Sequence, residues 1–128
     1  MSCVLRISNG AHTVLLAGDI EQAQEARLAQ QGAALKADLL LVPHHGSKTS
    51  SSTALLDALS VQQALNSAGY RSRFGHPHAD VVRRYRERGI ALFNTAAAGC
   101  IRLYLSPDAP PRTVEHCRID RARYWTEP

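Results

Sequence analysis

The sequence predicts an α/β protein whose mixed sheet opens with a β-hairpin. Asn9-Gly10 stands between two apolar runs, which is a strong signal for paired antiparallel strands. From residue 20 onward, helix-forming stretches alternate with short apolar runs, the order that parallel βαβ units produce. The composition agrees: 128 residues, 45% hydrophobic and 20% charged, suit about one domain and exclude a disordered tail. No run approaches the roughly 18 apolar residues of a membrane span. Arg6 and Asn9 interrupt the N-terminal segment before a signal-peptide core of sufficient length forms.

Residues 3–8 and 12–17 are the two hairpin strands. Ile20 to Gln31, rich in Ala, Gln, Glu, Arg and Leu, is a helix that Asp19 is placed to cap and Gly32 to stop. Asp38 to Val42 is a short apolar strand closed by Pro43, fit for burial on both faces. Ser50 to Thr53 offer N-caps for a helix carrying Leu55, Leu56 and Leu59, and Gln63 to Ser67 is a further strand. Asp80 to Arg88 is a helix with Val81, Val82 and Tyr85 opposite its arginines, ended by Gly89. Ile90 to Asn94 and Cys100 to Leu105 read as closing strands, and Thr113 to Ile119 as an edge strand. The chain divides into a domain over 1–106 and, over 107–128, a Pro-containing linker with a basic tail.

In layered α/β sheets, ligands gather beyond the carboxyl ends of the strands. Three polar clusters fall there: Gly18-Asp19, Pro43-His44-His45-Gly46-Ser47, and the stretch from Gly69 that contains Gly75-His76-Pro77-His78. An Asp, a His pair and a His-x-His are the donors that zinc or manganese takes, and a carboxylate bridging two metals leaves positions open for water and phosphate. Gly46 permits close backbone approach to a ligand, and Ser47 offers a hydroxyl and an amide to phosphate. Each cluster also has a plainer reading: a helix cap for Asp19, polar surface for the histidines, a turn for Gly46-Ser47. The net charge of +4 equals the local excess of residues 71–88, where Arg71, Arg73, Arg83, Arg84, Arg86 and Arg88 face only Asp80 and Glu87. That patch suits an anionic partner, and a solvated helix face is its alternative. Cys3, Cys100 and Cys117 lack a C-x-x-C spacing and read as small buried hydrophobes.

Gly18-Asp19-Ile20-Glu21, Leu35-Lys36-Ala37-Asp38 running into Val42-Pro43-His44-His45-Gly46-Ser47, Ser50-Ser51-Ser52, Gly75-His76-Pro77-His78 and Gly99 before a strand together carry a likeness. From about Cys3 to Leu105 the chain resembles the metallo-β-lactamase-fold domain at the C-terminus of ComEC-type DNA-uptake proteins. The resemblance implies that Asp19 bridges two metals and that one His of the pair supplies the last protein ligand. His45, 26 residues after Asp19, is favoured by that family's spacing, with His44 as the alternative. It also implies that Gly75-His76-Pro77-His78 lies near the substrate and outside the primary ligand set.

The family's fold is an αββα sandwich of two sequence halves, whose first half supplies most ligands through an H-x-H-x-D-H or H-x-D-x-D-H motif. That motif is absent from this sequence; His76-Pro77-His78-Ala79-Asp80 begins like it, but Val81 stands where the last His belongs. Ala96 likewise follows Asn94-Thr95 where relatives often carry an acidic residue. The implied molecule is therefore the C-terminal half of a metallo-β-lactamase-type sandwich. It would be part of a zinc- or manganese-dependent phosphodiesterase or nuclease acting in natural transformation, inactive and weak in metal binding by itself. The two-metal site would be complete only with the upstream half. Implied partners are DNA, that upstream half and a membrane channel region. The setting would be the bacterial inner membrane, with this portion soluble at its surface. The sheet face of Val4, Leu15, Leu39 and Leu41 would then lack its packing partner. Arg71, Arg73, His76 and His78 are the remaining candidates for substrate contact. The alternative function is a non-catalytic nucleic-acid-binding module that uses the Arg-rich helix. No Gly-rich nucleotide loop, G-x-S-x-G elbow or RNA-binding aromatic motif is present.

Overall fold

The computed structural model describes residues 2–123. Strands β1 (Leu5–Ser8) and β2 (Thr13–Leu16) pair antiparallel. Their connection is a four-residue loop and not a two-residue turn. Asn9 Oδ1 accepts the amides of Ala11 and His12 at 3.1 and 2.7 Å, and Gly10 takes the positive φ that closes it. Helix α1 (Gln22–Ala29) begins one residue after Glu21, whose N–H donates to Gln24 Oε1 at 3.3 Å. The cap is Glu21, so Asp19 is left outside the helix.

β3 (Leu39–Leu41), β4 (Gln63–Asn66) and β5 (Ala91–Asn94) add to β2 in parallel, giving the order β1-β2-β3-β4-β5. The crossovers carry α1, α2 (Thr53–Leu59) and α3 (Ala79–Glu87). Ser52 Oγ caps α2 by accepting Leu55 N–H at 3.3 Å. Strand alternation sends Leu15, Leu40 and Ala64 toward these helices, where they pack with Leu55, Leu59 and Tyr85 in one core. Val4 packs against the same core.

Leu39 and Leu41 point to the opposite face, so the four residues expected together divide between two faces. Leu39 is buried there and Leu41 half-buried. Their cover comes from a second sheet. After β5, the short helix α4 (Thr95–Ala98) and Gly99, at φ 79°, turn the chain into β6 (Ile101–Tyr104), which leaves the main sheet and pairs with β7 (Arg112–His116). The expected closing strand Cys100–Leu105 is thus half of a separate hairpin, and residues 107–111 join its two strands. Gln63 Nε2 donates to Pro111 O at 3.1 Å, His12 Nε2 lies 2.8 Å from Ala109 O, and the His116 ring meets Phe93 at 5.8 Å. These contacts set the hairpin across Val14 and Leu39, on the face away from the helices.

Cys100 and Cys117 are joined as a disulfide, with Cα atoms 5.0 Å apart, and Cys3 is exposed. The expectation of three buried thiols fails because the returning hairpin brings residues 17 apart in sequence side by side. Cys117 opens the last helix, α5 (Cys117–Asp120). No helix among the described residues is long and apolar enough to cross a membrane.

Candidate metal and phosphate site

The parallel register from β2 to β5 gathers four loops at one edge of the sheet. Hydrogen bonds between loops hold them together: His44 N–H donates to Gly18 O at 2.9 Å, and His78 N–H to Gly46 O at 2.8 Å. Pro43–Gly46 is a tight turn in which His44 and His45 both have positive φ, 47° and 56°. Non-glycine residues rarely adopt that conformation, and consecutive ones mark a backbone held by its surroundings.

This turn sends the two imidazoles in different directions. His45 Nδ1 lies 2.7 Å from Ser67 O, so that nitrogen carries the proton and donates it. Nε2 is then the lone-pair nitrogen, and it stands 3.8 Å from Asp19 Oδ1. A histidine whose far nitrogen is fixed by a carbonyl while its near nitrogen faces a carboxylate has the arrangement of a metal ligand. His44 Nδ1 instead stands 3.2 Å from Glu21 Oε1, close enough for an ion pair when protonated but without hydrogen-bond alignment. The structure therefore brings Asp19 and His45 together and turns His44 toward the helix cap.

His78 Nδ1 accepts Asp80 N–H at 3.2 Å and caps α3. Its partner His76 has a buried Nδ1 with no hydrogen-bond partner. Desolvation, and then repulsion from His44, His45 and His78, hold the His76 pKa below its ordinary value, which disfavours the charged form of its ring. Asn66 Oδ1, at the end of β4, is a second buried acceptor without a partner. With His44 Nδ1, that makes three buried polar atoms without a hydrogen bond in this cluster, which suits a site that takes a cation or bound water.

The donors do fit a divalent ion, but incompletely. Asp19 and His45 give two ligands, while stable sites use about three or four. Among the described residues, the one cluster of three ligating groups is Cys100, Glu115 and Cys117, and its cysteines form the disulfide.

Gly46 and Ser47 do different work from that expected. A Cβ on Gly46 would lie 2.6 Å from Pro77 Cβ, so what approaches its backbone is the His-Pro-His loop. Ser47 N–H donates to His44 O at 2.9 Å, and its hydroxyl meets Thr49 Oγ1 at 3.0 Å, so both groups are engaged within the turn.

The arginines divide too. Arg84 donates to Ser50 O and Ser51 O at 2.7 and 3.1 Å; Arg88 grips Asp57 at 2.7 and 3.2 Å; Arg83 pairs with Asp80 at 2.9 Å. The Arg-rich helix is thereby largely committed to its own protein. Arg71 and Arg73 sit on the exposed loop beside the histidines, Arg71 over the Tyr70 ring at 5.2 Å.

Sequence reasoning missed Asn66, Glu25 and the loop aromatics Tyr70 and Phe74. The position of Asn66 as the last residue of β4, at the carboxyl edge of the sheet, is a usable signal. Buried Glu25 was not foreseeable: its two oxygens accept Ser51 N–H at 2.6 Å and Ser52 N–H at 2.7 Å, fastening the serine-rich loop from beneath.

Over about four fifths of its length the chain is similar to bacterial proteins named for competence and recombination. It is 37% identical over 105 residues to competence protein ComA of Neisseria gonorrhoeae, covering 81% of this chain and 15% of that protein. It is 37% identical over 107 residues to recombination protein 2 of Haemophilus influenzae, covering 84% and 13%. It is 34% identical over 100 residues to ComE operon protein 3 of Bacillus subtilis, covering 78% and 13%. The chain thus spans between 13% and 15% of the length of these relatives. No protein-family model matches it.

Proposed function

We propose that this chain is one part of a metal-dependent phosphodiesterase domain that serves DNA uptake in natural transformation. The reading rests on its similarity to bacterial competence proteins and, most of all, on His45, oriented by Ser67 O with its free nitrogen toward Asp19. Asp19 and His45 would hold zinc or manganese together with ligands from a segment outside this chain, the upstream half of a metallo-β-lactamase-type sandwich. A divalent ion there supplies Lewis-acid activation of a phosphodiester and of water. The chain's own contribution is to fix one imidazole through Ser67 O with its Nε2 toward Asp19, and to disfavour charge on His76 beside it. Arg71 and Arg73 draw a phosphate chain toward the edge of the sheet. In the longer polypeptide, the domain would stand beside a membrane channel region of the bacterial inner membrane.

Calorimetric titration with Zn and Mn tests this. The 128-residue chain should bind weakly, and a polypeptide that includes the upstream segment should bind tightly and cleave bis(p-nitrophenyl) phosphate. Asp19→Asn and His45→Gln should each remove both properties. Cleavage that survives both substitutions would overturn the assignment.

A further inference from the structure

The segment from Ser67 to Ala79 contains Tyr70, Arg71, Arg73, Phe74, His76 and His78 and no acidic residue. Phe74, at 66% exposure, is the most exposed of the large apolar side chains among the described residues. Its ring lies nearly parallel to that of His76, with centroids 6.0 Å apart and planes at 17°. The Arg73 guanidinium lies over the ring, 4.9 Å from its centroid. Beneath them is a cavity of about 210 Å³ lined by His45, Ser67, Phe74 and His76 among others.

Folding gains little from Phe74, since burying such a ring contributes about 1.5–3 kcal/mol and this one stays in water. The loop is nonetheless built. Ser72 N–H donates to Gly69 O at 3.2 Å, and Gly75 N–H to Ser72 O at 3.1 Å. Arg118, from α5, lies 4.3 Å over the Tyr70 ring while donating to Ala96 O at 2.6 Å, which ties the loop's start to the body.

We propose that this loop is a nucleobase-stacking subsite, in which an unpaired base of a single strand takes the place of the Arg73 guanidinium over Phe74, backed by His76, and Arg73 moves onto a flanking phosphate. An exposed aromatic ring that already holds a guanidinium over its face is the equipment of sequence-tolerant single-strand binding, in which a base takes the face and the cation a phosphate. A duplex offers no such face along its length, because its bases are already stacked and paired. His45 lines both this cavity and the pair with Asp19, so the stacked base belongs to a nucleotide adjoining the phosphate held there. The inference rests on the hydrolase reading only for that adjacency.

Fluorescence anisotropy in EDTA, with a short single strand, its duplex and an abasic strand of equal length, is the test. The chain should favour the intact single strand over both other forms. Phe74→Ala should weaken that strand roughly tenfold and leave the abasic strand unchanged, while Phe74→Trp should keep binding. A 2-aminopurine base in the strand should be quenched by the protein and not by Phe74→Ala. Equal loss on intact and abasic strands, equal affinity for duplex, no binding at all, or capture of a protein partner by Phe74 without strand binding would each overturn the proposal. Asp19→Asn separates the two readings: it should abolish cleavage in the longer polypeptide and leave binding in EDTA intact.

Discussion

Single residues at the edge of the sheet have sharply defined work, and Gly46 is the clearest case. Its φ is +79°, and any Cβ would press on Pro77 at 2.6 Å. Gly46→Ala should therefore destabilise the fold by about 2–3 kcal/mol through overpacking and backbone strain, read as a lower urea midpoint with unchanged slope. Glu25 is the second case. Gln at this position turns an amide NH2 toward one of two buried N–H donors that now meet a carboxylate. Glu25→Gln should cost about 1–3 kcal/mol in the same measurement. Above the carboxylate, the Tyr85 hydroxyl meets Ser51 Oγ at 3.0 Å, and burial pushes its pKa well above the ordinary range.

At the scale of elements, α2 and α3 are clasped by Asp57 and Arg88. The Arg88 guanidinium holds the Asp57 carboxyl below its usual pKa, chiefly through their hydrogen bond. A depressed carboxyl adds stability that is present above its unfolded pKa, near 4, and is lost as pH falls through the folded one. Asp57 is 63% exposed and solvent screens the pair, so its share is no more than about 1 kcal/mol. Asp57→Asn should lower stability at neutrality by no more than about 1 kcal/mol and converge on the unsubstituted protein as pH falls below about 4, so that the acid limb is flatter, measured by thermal melts across pH. The element order was legible because Leu55 to Leu59 and Val81 to Tyr85 carry a helical period, and Leu39 to Leu41 is a short unbroken apolar run closed by Pro43. Asp19 and His45 were legible for the same reason, since any residue just past a parallel strand must sit at the shared edge. The fate of β6 was not legible. Its departure from the sheet depends on Gly99, α4 and a disulfide partner that only the returned hairpin supplies. Nor was the division of labour between His44 and His45 readable from spacing, because two positive-φ residues in succession decide where each ring points.

The molecule as a whole has one sheet face closed by helices and the other closed only in part by the β6–β7 hairpin. Leu5 and Ile7 stand 54% and 48% exposed on β1, and Leu16, Leu41, Leu65 and Phe93 are half-buried across the same face. Such a surface favours self-association. Sedimentation should show concentration-dependent oligomers that the double substitution Leu5→Lys, Ile7→Lys suppresses, with a change in stability within about 0.5 kcal/mol. The gathering of four loops at one sheet edge also bears on how the chain folds. Parallel neighbours are joined only by crossovers that span the whole sheet, so every contact among those loops closes a long stretch of chain. Hairpin β1–β2 forms on a microsecond scale, whereas this edge waits for the slow, high-contact-order steps. The amides of His44 and His78, bonded across loops to Gly18 and Gly46, therefore report completion: in pulse-labelling exchange during refolding they should gain protection last, together, after the hairpin amides are already shielded.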